Sequence, residues 1–238
     1  MYGLAPAKKF VLDVLFPTQC ARCGDEGVLL CDACQALLRF IPPSCFVCKK
    51  LVPPAGSAPA GRTCAPCHKK SDLFTFLSPF LYDNPPIRAL IHDLKYRRIR
   101  ASAPILAGLL VRSIHYFGTA LPRHALIVPI PLSPARERVR GFNQSLLIAE
   151  DMGNALDIPV RSDILKKIKT TKPQMELRRE ERVKNLACAF AVSDSNAVRN
   201  RTIILLDDVK TTGTTLESAA KTLKAAGATR IWAITIAH

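Results

Sequence analysis

The sequence predicts an α/β fold, a parallel sheet flanked by helices, preceded by a small metal-stabilised module. Three observations carry this reading. Eight of the nine cysteines lie before residue 68, in four C-x-x-C pairs. From Leu73 onward, short apolar runs alternate with segments of helical period. The apolar run Thr202–Leu206 leads directly into Asp207-Asp208 and then a turn rich in threonine that opens a helix. The expected division is a cysteine-rich domain over residues 1–72 and an α/β domain over 73–238.

The cysteine pairs are Cys20/Cys23, Cys31/Cys34, Cys45/Cys48 and Cys64/Cys67. Two residues between ligands let one tight turn point both thiolates at a tetrahedral metal, so two turns complete a four-thiolate zinc site. Seven residues separate the first pair from the second, and fifteen separate the third from the fourth. The longer gap is typical of zinc ribbons. Two structural Zn²⁺ sites are expected, with first joining second and third joining fourth, and a cross-braced pairing as the alternative. A disulfide scaffold would need an oxidising compartment. A thioredoxin-like centre would need one C-x-x-C in a βαβ setting, not four in a segment rich in Pro and Gly. Residues 17–72 hold few large apolar side chains, so metal would supply the folding free energy. Gly24 suits the positive φ that often follows a metal-binding turn. His68 reads as a surface residue rather than a ninth ligand, and Cys188 as a small buried apolar residue.

In the second domain, Phe74–Tyr82 is apolar enough for a strand. Asn84-Pro85-Pro86 opens a helix, with Ile87, Leu90, Ile91 and Leu94 on one face. A second helix is expected over Pro104–Tyr116, then a buried strand over Ala125–Ile130 and a helix over Gln144–Asn154. Ile158-Pro159-Val160 is a short strand signal. Glu176–Asn185 reads as a charged helix leading into a strand at Ala187–Val192. Thr202–Leu206 is a strand, Thr214–Ala226 a helix stopped by Gly227, and Arg230–Ile236 the last strand.

The chain of 238 residues has 34 Lys and Arg against 19 Asp and Glu, a formal charge of +15. With 48% hydrophobic residues it can bury a core, which excludes a disordered basic tail. Residues 1–72 carry a net +4, whereas Arg88–Lys184 alone carries +10. Such a balance points to polyanionic partners. No stretch approaches the roughly 18 apolar residues of a membrane span. The N-terminal apolar run is broken by Asp13 and soon meets Cys20, which argues against an export signal. A cytoplasmic location is expected, with peripheral association at the cytoplasmic face of an inner membrane as a variant of it.

Asp207 and Asp208 can accept hydrogen bonds from vicinal sugar hydroxyls or approach a hydrated metal. Thr211-Thr212-Gly213-Thr214-Thr215 offers hydroxyls and backbone N–H groups at a helix N-terminus, and Gly213 leaves room for a phosphate. Acid pair and cradle together describe a ribose 5-phosphate pocket. The competing reading is an ordinary strand–turn–helix with solvated acids.

The stretch Leu205–Thr215 resembles the phosphoribosyl-diphosphate motif of type I phosphoribosyltransferases. Further stretches resemble the ComF (ComFC) branch: Ile91–Tyr96, Val128–Leu132 with Arg140–Gln144, and Thr171–Gln174 with Arg182–Leu186. The resemblance implies a type I phosphoribosyltransferase-like sheet in which Asp207 and Asp208 meet ribose hydroxyls and Thr211–Thr215 hold the 5-phosphate. It also implies a pyrophosphate loop after Pro131, with Arg136, Arg138 and Arg140 as anion contacts, and a flap over Thr170–Arg182. Mg²⁺ would accompany the diphosphate. Lys210 departs from the apolar residue usual at its position and reads as a solvent-facing loop residue.

The same resemblance implies a role in natural transformation, the handling or import of single-stranded DNA, with a DNA-translocation or helicase partner. The basic band Lys95-Tyr96-Arg97-Arg98-Ile99-Arg100, with Arg136–Arg140 and Lys166–Lys172, would track the strand. Tyr96 and Phe142 are the aromatic residues lying among basic ones, and a packing role is the expectation for each. The alternative is an active phosphoribosyltransferase of nucleotide metabolism or salvage, for which no catalytic residue is assigned.

Overall fold

Strands β1 (Thr75–Leu77), β2 (Ala125–Pro129), β3 (Leu165–Lys167), β4 (Phe190–Val192), β5 (Thr202–Val209) and β6 (Arg230–Ala237) divide into two sheets. Four of them form a parallel sheet in the order β1-β6-β5-β2, and β3 pairs antiparallel with β4. The computed structural model describes residues 17–56, 58–122, 124–168 and 189–238. Helices α1 (Asp32–Gln35), α2 (Pro85–His92), α3 (Ser102–Tyr116), α4 (Pro134–Arg140), α5 (Gln144–Leu156), α6 (Ser195–Val198) and α7 (Thr214–Ala225) connect and cover the strands.

Alternation along β5 sorts the core into two layers, because successive side chains leave a strand on opposite faces. Ile204 and Leu206 join Ile87, Leu90 and Leu94 of the α2 segment, Leu106 and Leu110 of α3, and Ile148 and Met152 of α5. Ile203 and Leu205 join Leu216, Ala219, Ala220 and Leu223 of α7. Both faces of the sheet are therefore covered, which is why its strands read as unbroken apolar runs.

Several local outcomes differ from the sequence expectation. β1 spans only three residues, because Pro79 has no N–H for a sheet ladder; Phe80 still bridges Ala237 in parallel. The helix begun at Pro85, with Asn84 Oδ1 accepting from the Ile87 N–H at 3.3 Å, continues as a π-helical turn over Asp93–Arg97. That turn stops at Arg98, which is left-handed at φ 59°. Residues 190–192 pair with the unanticipated β3 rather than joining the parallel sheet. The expected helix at 176–185, the flap at 170–182 and Cys188 lie outside the described residues. Val160 borders β2 through a parallel bridge to Ile127, as the short strand signal implied.

Helix α5 approaches that bridge at Gly153, where a Cβ atom would stand 2.6 Å from Val160 Cγ2 and 2.7 Å from the Ile158 carbonyl oxygen. The backbone carbonyl cannot yield as a side-chain tip would. Gly153→Ala is therefore expected to destabilise the protein by about 1–3 kcal/mol, read as a shift of the denaturant midpoint without a change in slope.

Candidate functional site

The cysteines gather into two groups, Cys20/Cys23/Cys31/Cys34 and Cys45/Cys48/Cys64/Cys67, each with its sulfur atoms within 4.8 Å of one another. This is the sequential pairing. Cys23 and Cys31 Sγ atoms lie 3.5 Å apart, as do those of Cys48 and Cys64. Four thiolates on a tetrahedral zinc, at metal–sulfur distances of about 2.3 Å, would sit roughly 3.8 Å apart, so the donor sets fit that ion. Gly24 has φ 78°, the conformation anticipated after the first turn. Burial alone would raise the Cys45 thiol, but the backbone N–H groups of Cys48, Cys64 and Val47 outweigh it and pull it down to about 6. Cys20 is pulled down to about 6 in the same way, against its burial, by the backbones of Cys23, Cys31 and Arg22. The crowding of sulfurs acts the other way on Cys64, which is pushed up to about 12 by its hydrogen bonds with Cys67 and then Cys48. Cys23, Cys31, Cys34 and Cys67 are raised as well, so one thiol of each group ionises readily while these need a metal to lose their protons. His68 is exposed, and its ring meets the Thr63 carbonyl rather than a sulfur group.

The second cysteine group reaches the threonine turn directly. Phe46, between Cys45 and Cys48, packs edge-on to Phe76 at 5.3 Å and covers Gly213, where a Cβ would meet Phe46 Cζ at 2.5 Å. Gly213 is thus needed twice, for its φ of 83° at the start of α7 and for the ring above it. Lys210 corrects the expectation of a solvent-facing residue: it is 8% exposed, its Nζ 5.3 and 5.4 Å from the Phe46 and Phe76 ring centroids. Its stem fills apolar space between those rings. Burial, followed by the neighbouring Lys49 ammonium, lowers its pKa to about 8. Glu217 in the first turn of α7 ties the linker, accepting from Ser71 Oγ and from the Asp72 N–H at 2.7 Å each.

The acid pair ends β5. Asp208 is buried, its Oδ1 2.7 Å from Lys95 Nζ and its Oδ2 accepting from Gln144 Nε2 at 2.7 Å. Since a carboxylate only accepts, the Gln144 amide must turn its nitrogen to Asp208, which leaves its buried Oε1 with no protein partner. Asp207 Oδ1 accepts from Ser145 Oγ and from the Asp208 N–H, each at 2.9 Å. Burial, then the adjacent Asp208 charge, pushes Asp207 up to about 7. Asn143 fixes the element that supplies these donors: its Nδ2 donates to the Ile130 carbonyl at 3.0 Å and its Oδ1 accepts from the Ser145 N–H. Lys95 was expected in the basic band along a DNA strand, and the structure turns it inward onto Asp208 instead. Asn143, Gln144 and Ser145 were not singled out from the sequence as site residues; Asn143 and Gln144 belonged to the motif stretch after Arg140, and Ser145 carried no signal, because polar side chains without periodicity reveal no partner.

Thr212 Oγ1 and Thr214 Oγ1 lie 2.8 Å apart across Gly213, with Thr211 and Thr212 exposed and Thr214 and Thr215 half-buried. Pro131 is half-buried beyond β2, and Arg136 and Arg138 are exposed on α4. Arg140 lies 5.8 Å from the Tyr96 ring centroid, and the His92 ring centroid 4.8 Å from it. Tyr96 corrects the expectation of a packing role, since it is 63% exposed. The π-helical turn sends it outward while its neighbour Lys95 turns in. Phe142 does pack against the core, beneath the Arg100 guanidinium. Arg97 pairs with Asp93 at 3.2 Å and Arg98 donates to the Val139 carbonyl at 2.7 Å. Lys166 is exposed and Lys167 half-buried, while 169–172 lie outside the described residues.

Parallel sheet, acid pair and threonine turn define a protein of the phosphoribosyltransferase fold class, and the phosphoribosyl transferase domain family matches residues 143–238. Identity of 30% over 207 residues relates the chain to the DNA utilization protein YhgH of Salmonella typhi, covering 84% of this chain and 88% of that one. Competence protein F of Haemophilus influenzae is 30% identical over 210 residues, 85% of this chain and 87% of the relative. Competence protein ComFC of Bacillus subtilis is 39% identical over 101 residues, covering 42% of this chain and 39% of that protein. The chain belongs to the ComF family.

Two measurements follow from this geometry. Purified protein should carry two zinc ions per chain by elemental analysis, and Cys45→Ser should lower that to one while loosening the contact over Gly213. Asp207, with its folded pKa above the ordinary 3.8, binds more protons folded than unfolded. Stability should therefore fall as pH rises from the ordinary carboxylate range to about 7 and then level off. Asp207→Asn should remove that slope from the denaturation curves, together with a protonated carboxyl infrared band persisting to near neutral pH.

Proposed function

We propose that this chain supports natural transformation by handling single-stranded DNA, using its sugar-phosphate pocket and the basic surface beside it. The observation that carries the reading is Tyr96, exposed and flanked by the His92 ring and the Arg140 guanidinium. A base stacking on such a ring needs no sequence preference and gains from neighbouring cations. Exposed Arg97, Arg98, Arg136 and Arg138 are the candidate backbone contacts. The names of the curated relatives, competence and DNA utilization proteins, support the same direction. The +10 charge between Arg88 and Lys184 is more than one sugar phosphate requires.

In this reading the Thr211–Thr215 turn takes a phosphate, through the hydroxyls that meet across Gly213 and the N–H groups at the start of α7. Asp207 Oδ2, which no described donor reaches, is the acceptor offered to sugar hydroxyls. The second reading, phosphoribosyl transfer onto a base or amine, draws on the same acid pair and turn.

Titration of labelled single-stranded DNA at several salt concentrations tests the first reading. Affinity should fall steeply with salt, Arg97→Glu with Arg98→Glu should flatten that dependence, and Tyr96→Ala should weaken binding by about 1–3 kcal/mol at every salt. Salt-insensitive or absent binding overturns the proposal. Pyrophosphate release from phosphoribosyl diphosphate across a panel of bases decides the second reading, and no turnover above background removes it.

A further inference from the structure

A carboxylate pair at the end of a strand is ordinarily open to a hydrated divalent ion, because nothing else neutralises it. Here the pair is already filled. Asp208 has both oxygens engaged, one by the Lys95 ammonium and one by the Gln144 amide, and its side chain is 7% exposed. Asp207 Oδ1 holds two hydrogen bonds, so Oδ2 is the oxygen of the pair that no described donor reaches. Mg²⁺ demands near-octahedral oxygen ligands at about 2.0–2.1 Å. It could take Asp208 only by expelling Lys95, whose side chain is 14% exposed and would lose its ion pair.

Resting on the sugar-phosphate reading above, we infer that Lys95 is the resident cation of the acid pair, excluding Mg²⁺ from Asp207 and Asp208 and neutralising a bound sugar phosphate in its place. The local backbone supports this assignment. The π-helical turn over Asp93–Arg97 changes the side-chain direction within α2's continuation, so that Lys95 faces the end of β5 while Tyr96 faces solvent. The turn is held by Arg97 on Asp93, by the Ile99 N–H on the Asp93 carbonyl and by the left-handed Arg98. An ammonium has three donors in a flexible arrangement. One is spent on Asp208, leaving two for oxygens of a ligand. Asp207, whose pKa burial and Asp208 push up to about 7, carries less than a full negative charge near neutral pH and so attracts a second cation less. Any Mg²⁺ that arrives with a diphosphate would then be ligated by the diphosphate oxygens, not by this pair.

The test uses the full-length, zinc-loaded protein. Calorimetric titration with ribose 5-phosphate should give affinities within twofold of one another with and without Mg²⁺. Lys95→Ala should bind at least tenfold more weakly without Mg²⁺ and regain much of that loss when Mg²⁺ is added, and Lys95→Arg should restore Mg²⁺-independent binding. A second measurement needs no sugar. Mn²⁺ paramagnetic resonance should show no ion held by the unaltered protein, a bound ion in Lys95→Ala, and its loss when Asp208→Asn is added. A wild-type affinity that rises tenfold or more with Mg²⁺, or Mn²⁺ bound by the unaltered protein and released by Asp208→Asn, overturns the inference. Absence of ribose 5-phosphate binding, or binding unchanged by Thr212→Asp, overturns the sugar-phosphate reading instead, and the Mn²⁺ comparison still judges Lys95. Circular dichroism of each variant separates these outcomes from unfolding.

Discussion

A carboxylate removed from water must find a cation or enough donors, or be protonated. Asp208 lies near the end of β5 and meets the start of α5 through Gln144, and its neutralisation by Lys95 and Gln144 organises the surrounding chain. To bring Lys95 there, the continuation of α2 widens into a π-helical turn. To bring Gln144 and Ser145 there, the start of α5 must be held against the end of β2 although α4 intervenes in the chain, and Asn143 secures that by donating to the Ile130 carbonyl. Asp207 then shares the remaining field and holds its proton to near neutrality. The site is a consequence of satisfying one buried charge.

The second organising contact joins metal chemistry to the phosphate turn. Phe46 belongs to a cysteine turn, yet its ring closes the space over Gly213 and beside Lys210. Glu217 reinforces the junction from α7 by holding Ser71 and Asp72. Packing an aromatic ring against a glycine demands close approach and tolerates little displacement. The order imposed on the cysteines is thereby passed to the turn.

The features visible in the sequence were those with a period or a fixed spacing. The four C-x-x-C pairs gave the ligand sets, and the apolar run at Thr202–Leu206 gave the central strand, with Asp207 and Asp208 at its end. What stayed hidden depended on meetings between distant residues. Lys95 and Asp208 are far apart in sequence, and nothing local distinguishes Lys95 from the exposed cations beside it. The same blindness reversed Lys210 and Tyr96, a charged residue that is buried and an aromatic one that is exposed. In both cases a neighbour from another element, Phe46 for Lys210 and the π-helical turn for Tyr96, overrode the average behaviour of the residue type. The pairing of β3 with β4 was equally unreadable, since a three-residue ribbon carries too little alternation to register.

The ring of Phe46 over Gly213 has a consequence for how the molecule can be dissected. Cutting away the cysteine-rich segment would strip the lid from Phe76 and Lys210 and leave an apolar hollow beside the threonine turn. A fragment made that way would tend to associate with itself through the hollow, and its behaviour toward phosphates would describe an injured surface rather than the intact one. Swapping cysteine modules between relatives carries the same constraint, because the exchanged turn must deliver a ring of matching size to the same glycine.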